Sequence, residues 1–122
     1  VLAQICCDTD FSESPQDFNS SPRVLLLDEP LASLDLGHQQ YVMRVVKQFT
    51  GRGVSVVMVV HDMNIAAQHA DTVLALADGK TIAYGQPQSV INAELLREMF
   101  GVDVSVVPHP VSGKPVVMPL GT

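Results

Sequence analysis

Three ionisable side chains stand where chemistry is most easily done: Asp28 and Glu29, adjacent at the end of one apolar run, and His61 at the end of another. The run Val24-Leu25-Leu26-Leu27 fits a strand buried on both faces of a parallel sheet, and Pro30, with no N–H to give, stops its ladder. The acids therefore lie at a strand's carboxyl end, the edge at which open α/β sheets bind ligands. Neighbouring residues on a strand point in different directions, so the two carboxylates can hold different tasks. Asp28 suits a hydrated Mg2+, a hard cation that takes a carboxylate together with phosphate oxygens and waters. Glu29, held just beyond it, suits the orientation or deprotonation of an attacking water. The competing interpretation is a strand followed by an acidic turn, because short motifs also arise by chance.

The elements that must position these groups can be read in order. Leu31-Ala32-Ser33-Leu34-Asp35 leads into a helix with Asp35 as N-cap, and Val42, Val45, Val46 and Phe49 recur at i, i+3, i+4 and i+7 to give it one apolar face. Gly51 and Gly53 end that helix. Val54 to Val60 is an almost continuous β-branched run, which predicts a second interior parallel strand, and it ends in His61-Asp62. Two neighbouring strands then deliver Asp28, Glu29 and His61 to one edge of one sheet. A lone histidine is as readily a structural residue; the convergence is what favours chemistry. Downstream, a short helix from Asn64 to Ala70 precedes a third apolar run, Val73 to Ala77, and Asp78-Gly79 predicts a hairpin into Lys80 to Tyr84. Pro87 suits the first turn of a helix. Asn92 caps another, with Leu95, Leu96, Met99 and Phe100 as its apolar face and Gly101 as its stop. The β-branched, proline-punctuated stretch from Val102 predicts a small terminal hairpin turning at Ser112-Gly113-Lys114.

Composition bounds the answer. With 122 residues, 47% of them apolar, and a mean hydropathy of +0.24, the chain can bury one domain's core and is not a disordered tail. Seven basic residues against 13 acidic ones, a net charge of −6, argue against a nucleic-acid groove or a polybasic membrane patch. The run Val56 to Val60 is far short of the roughly 20 residues that span a bilayer, so membrane association is expected to go through a partner. The only cysteines, Cys6 and Cys7, are neighbours, a spacing unsuited to an ordinary structural disulfide. A reducing, cytoplasmic setting and no signal peptide are expected.

The ordered motifs resemble a known family. Leu25-Leu26-Leu27-Asp28-Glu29-Pro30, then Ser33-Leu34-Asp35, then Val59-Val60-His61-Asp62 are similar to the Walker B strand, D-loop and switch histidine of ATP-binding cassette (ABC) ATPases. Ala70-Asp71, Asp78-Gly79-Lys80 and Gly85-Gln86-Pro87 extend the resemblance, which covers roughly residues 23–101. It implies an α/β fold: part of a P-loop NTPase, with a mainly parallel sheet flanked by helices and a C-terminal hairpin. It further implies ATP and Mg2+ as cofactors, with Asp28 helping to hold the metal through water, Glu29 as general base and His61 contacting the γ-phosphate. Asp35 would act across a dimer interface, and Ser33 is carried over with it as a nucleotide contact. Here the chain departs from the common Ser-Ala-Leu-Asp pattern, having Ala32-Ser33-Leu34-Asp35, so the hydroxyl has moved by one position.

The same resemblance implies a homodimer of ATP-binding subunits, transmembrane permease subunits and, indirectly, a substrate-binding protein, at the cytoplasmic face of the bacterial inner membrane. Leu36-Gly37-His38-Gln39-Gln40, His61 to Ala67, His109-Pro110 and Gly113-Lys114-Pro115 look most like importers of iron chelates, the haem importers closest. The chain contains no G-x-x-x-x-G-K-[ST] phosphate loop and no Leu-Ser-Gly-Gly signature. It is therefore expected to be the C-terminal half of a longer protein and inactive alone. Residues 1–7 are expected to end a helix, 8–22 to form a surface loop and 102–122 a C-terminal extension. Two other classes share these motifs: an ABC-type ATPase of DNA repair or chromosome structure, which would need heptad arms and basic surface, and a non-catalytic docking module.

Overall fold

The computed structural model describes residues 2–6 and 23–121. In chain order the elements are β1 (Leu2–Cys6), β2 (Arg23–Asp28), α1 (Leu36–Thr50), β3 (Val54–Val60), α2 (Met63–His69), β4 (Thr72–Ala77), β5 (Lys80–Gly85), α3 (Pro87–Val90), α4 (Ala93–Phe100), β6 (Val104–Pro108) and β7 (Pro115–Pro119). The surface loop expected over 8–22 and the Cys7 half of the cysteine pair lie outside the described residues.

Five strands form one sheet in the order β2-β3-β1-β4-β5, and β6 and β7 form a separate hairpin. The two motif strands pair as expected: β2 and β3 are parallel, with Leu25 opposite Val56, Leu27 opposite Met58 and Asp28 opposite Val59. The other three pairings are antiparallel, so the sheet is mixed rather than mainly parallel. β2, β3 and β4 all run the same way, joined through α1 and α2, and β1 enters the slot between β3 and β4 in the opposite direction. This corrects the helix expected over 1–7. A short apolar run carries no period that separates strand from helix, and the facing edges of β3 and β4 offer backbone partners on both sides.

The core lies on the sheet face covered by helices. α1 packs on β3, α2 on β1 and β3, and α3 on β4 and β5. Val56, Met58, Val73 and Ala75 are fully buried there, while the alternate residues Val24 and Leu26 of β2 are 59% and 73% exposed on the opposite face. The apolar face of α1 is turned from the one expected: Met43 and Val46 are buried, Val42 and Val45 are half-buried and Phe49 is exposed. Asp78 and Gly79 both take positive φ, 51° and 72°, the mirror-image turn a tight hairpin needs. Asn92 caps α4 by accepting from Leu95 N–H at 2.8 Å, and Gly101 ends it in the left-handed region at φ 65°.

Candidate functional site

The parallel register of β2 and β3 brings the two motif ends together. The backbone N–H of Glu29 donates to Val59 O at 2.8 Å, extending the ladder one residue past β2 and setting Glu29 beside the end of β3. The Glu29 carboxylate meets His61 through Oε1 and Nε2. That oxygen is shielded from solvent and receives no hydrogen bond of ordinary geometry, whereas the imidazole is 63% exposed. A buried acceptor facing an open ring can place a proton acceptor and a donor on one bound molecule.

Glu29 and His61 line an open cleft of about 250 Å3 together with Ser33, Gln39, Asp62 and Ile65. Two cleft residues carry backbone strain: Glu29 at φ 48° and Ser33 at φ 63°, both in a region that L-residues avoid. Such conformations cost about 1–3 kcal/mol each and persist where surrounding structure holds them, often at functional sites. The turn between them is pinned by Ala32 N–H donating to Glu29 O at 3.2 Å and Leu34 N–H to Leu31 O at 3.3 Å.

The remaining sequence-nominated residues surround this pair. Asp28 ends β2 as an exposed carboxylate and is not part of the cleft lining. Asp35 is the N-cap of α1, as its sequence position suggests: its Oδ1 accepts from His38 N–H at 2.8 Å and lies 2.8 Å from His38 Nδ1. The His38 backbone N–H, then its ring, holds the Asp35 carboxyl below the ordinary carboxylate range. Among the described residues no three His, Cys, Asp or Glu side chains group as a metal cage.

Several contributors escaped sequence reasoning. Gln39 lines the cleft and donates through Nε2 to Leu31 O at 3.3 Å, holding the strained turn against α1. Asp62 caps α2, its Oδ1 accepting from Asn64 N–H at 2.8 Å and Ile65 N–H at 3.4 Å. An Asp before an apolar helix is itself a cap signal that the sequence carries. His69, at the other end of α2, is half-buried; that burial lowers its imidazole's pKa, and nearby Lys47 and Lys114 add to the effect.

No protein-family model matches the chain. Curated relatives do. The hemin import ATP-binding protein HmuV of Gloeobacter violaceus is 48% identical over 122 residues, covering 100% of this chain and 41% of the relative. The proteins of the same name from Hahella chejuensis and Deinococcus radiodurans are 40% and 46% identical over 99 and 96 residues, or 81% and 79% of this chain and 39% and 37% of theirs. The chain thus spans about two fifths of the length of the curated relatives it matches. Among solved structures, one described as a metal-chelate type ABC transporter in an inward-facing conformation superposes with a TM-score of 0.70 at 24% identity. It covers 81% of this chain and 41% of its own, and it shows the fold. No helix among the described residues is long and apolar enough to cross a membrane. By sequence along its whole length and by fold, the chain is similar to part of the ATP-binding proteins of ABC transporters.

Proposed function

We propose that this chain supplies the hydrolytic half of a nucleotide site in an ABC importer, and that the whole protein couples ATP hydrolysis to uptake of an iron chelate, haem above all. One observation carries the reading: Glu29 and His61 meet in one cleft at the ends of two adjacent parallel strands. Phosphoryl transfer needs positioning and charge neutralisation more than covalent help. Glu29 takes the proton of the attacking water, and His61 donates to a γ-phosphate oxygen. Asp28, a single exposed carboxylate at the same sheet edge, fits Mg2+ whose other ligands are phosphate oxygens and waters, and a dedicated protein cage is not needed for that. The metal would neutralise charge on the transferred phosphate. Asp35 and Ser33, at and before the start of α1, serve the nucleotide from the facing subunit of a homodimer.

The haem assignment is supported by the names of the relatives, and it brings with it permease subunits, an indirect link to a substrate-binding protein, and a position at the cytoplasmic face of the membrane. A net charge of −6 supports no role in binding nucleic acid. Because the chain has no G-x-x-x-x-G-K-[ST], we infer that it does not turn over ATP alone. The test compares the complete subunit, its variants and this chain. Glu29→Gln keeps MgATP binding and lowers turnover by roughly 10²- to 10⁴-fold, the worth of a positioned general base. Asp28→Asn shifts the Mg2+ dependence instead, and the isolated chain shows no turnover above its own Glu29→Gln control. Wild-type rates in Glu29→Gln would show the role assignment to be wrong.

A further inference from the structure

The C-terminal hairpin is fastened to the helix that begins just after His61. Asn64, the second residue of α2, donates through Nδ2 to Val117 O at 3.1 Å and accepts from Val117 N–H through Oδ1 at 2.7 Å. It pairs with β7 as a neighbouring strand residue would. One helical turn on, Gln68 Nε2 donates to Pro115 O at 3.3 Å, and Lys114 Nζ donates to Gln68 O at 2.6 Å. The spacings match: four helical residues rise about 6 Å, and two strand residues advance about 6.6 Å. Two amides four apart on α2 therefore read alternate residues of β7 in a fixed register.

His61 is shared by the cleft and a groove that the clamped hairpin helps to line. It lines both the Glu29 cleft and an open apolar groove of about 260 Å3 whose walls include Met63, Val104 and Val117. Val117, held by both of its backbone groups, thus lines the same groove as His61. We propose that the C-terminal hairpin is a positioning element for His61 and that Asn64 is the residue through which it acts. This rests on the reading of His61 as a phosphate contact in ATP hydrolysis.

The test is a mutant cycle in the complete ATP-binding subunit assembled with its permease. Asn64→Ala lowers kcat about 10-fold, since misplacement on the order of 1 Å already costs that much or more, and leaves KM for ATP within about twofold. Asn64→Asp keeps the acceptor for Val117 N–H but turns an oxygen on Val117 O. A carboxylate is favoured in the first turn of a helix, which offsets only part of the lost bond, so this variant melts somewhat below the wild type and loses kcat per folded molecule. In a His61→Ala background neither change lowers the residual kcat further, because no imidazole remains to be positioned. Equal factors in both backgrounds, or wild-type kcat in Asn64→Asp, overturn the proposal while leaving the role of His61 intact. Near-normal turnover in His61→Ala by itself overturns the phosphate-contact reading and the proposal with it.

Discussion

Strain at Glu29 makes a prediction whose sign is unusual. At φ 48° a side chain pays for its Cβ by about 1–2 kcal/mol, whereas glycine pays nothing there. Glycine costs about 0.5–1 kcal/mol more chain entropy than alanine on folding. The balance puts Glu29→Gly above Glu29→Ala in stability by about 0.5–1 kcal/mol, or roughly 1–2 °C in melting temperature for a subunit of about 250–300 residues. Both variants lose the same carboxylate and the same contact with His61, so the comparison isolates the backbone. Gln40, exposed in the interior of α1, is the control: there Gln40→Gly melts below Gln40→Ala, by about 1 kcal/mol. Thermal unfolding of the four variants in the complete subunit decides the matter. If Glu29→Ala is as stable as Glu29→Gly, the backbone at residue 29 is not strained, and the cleft is not holding its acid in a costly pose.

Two further outcomes are expected. His61→Ala removes a side chain that is 63% exposed, so it shifts stability by no more than about 0.5 kcal/mol while turnover falls about 10²-fold or more; a destabilised variant with normal turnover per folded molecule would make His61 structural. For His69, burial lowers the folded pKa below 6.5, so the unfolded chain binds more protons between the folded pKa and 6.5. Stability therefore falls as pH drops below about 6.5 and levels off below the folded pKa, and His69→Gln flattens that limb in denaturant melts at stepped pH; an unchanged acid limb would assign it to other groups.

What was legible in the sequence was periodic or punctuated. The β-branched run to Val60, the Asp35 and Asn92 caps and the Asp78-Gly79 turn each state their structure locally. The meeting of Glu29 with His61 was legible too, because parallel pairing of two adjacent strands, each ending its apolar run in these residues, brings them to one edge, although β2 lies at the sheet's edge with Val24 and Leu26 exposed rather than buried on both faces. The strand at Leu2–Cys6 was not, since a five-residue, mostly apolar run adopts whatever the neighbouring edges offer. Phe49 misled for a related reason: Met43 supplies the buried volume on α1 just as well, and rotating the helix by one position leaves the periodicity intact. Positive φ at Glu29 and Ser33 leaves no mark on residues that are not glycine. The Asn64 clamp joins groups 53 residues apart, beyond anything a local pattern encodes.

That separation also has a consequence during synthesis. A ribosome adds roughly 5–20 residues per second, so the 53 residues between Asn64 and Val117 take about 3–10 s to appear. Asp62 can start α2 at once, using groups only two and three residues away, but the amide of Asn64 is left to water until the last hairpin arrives. The nascent chain thus passes through an interval in which both motif strands exist and the hairpin that shares a groove with His61 does not. Whatever meets the growing chain in that interval, whether chaperone, protease or a second nascent copy, meets an unfinished site.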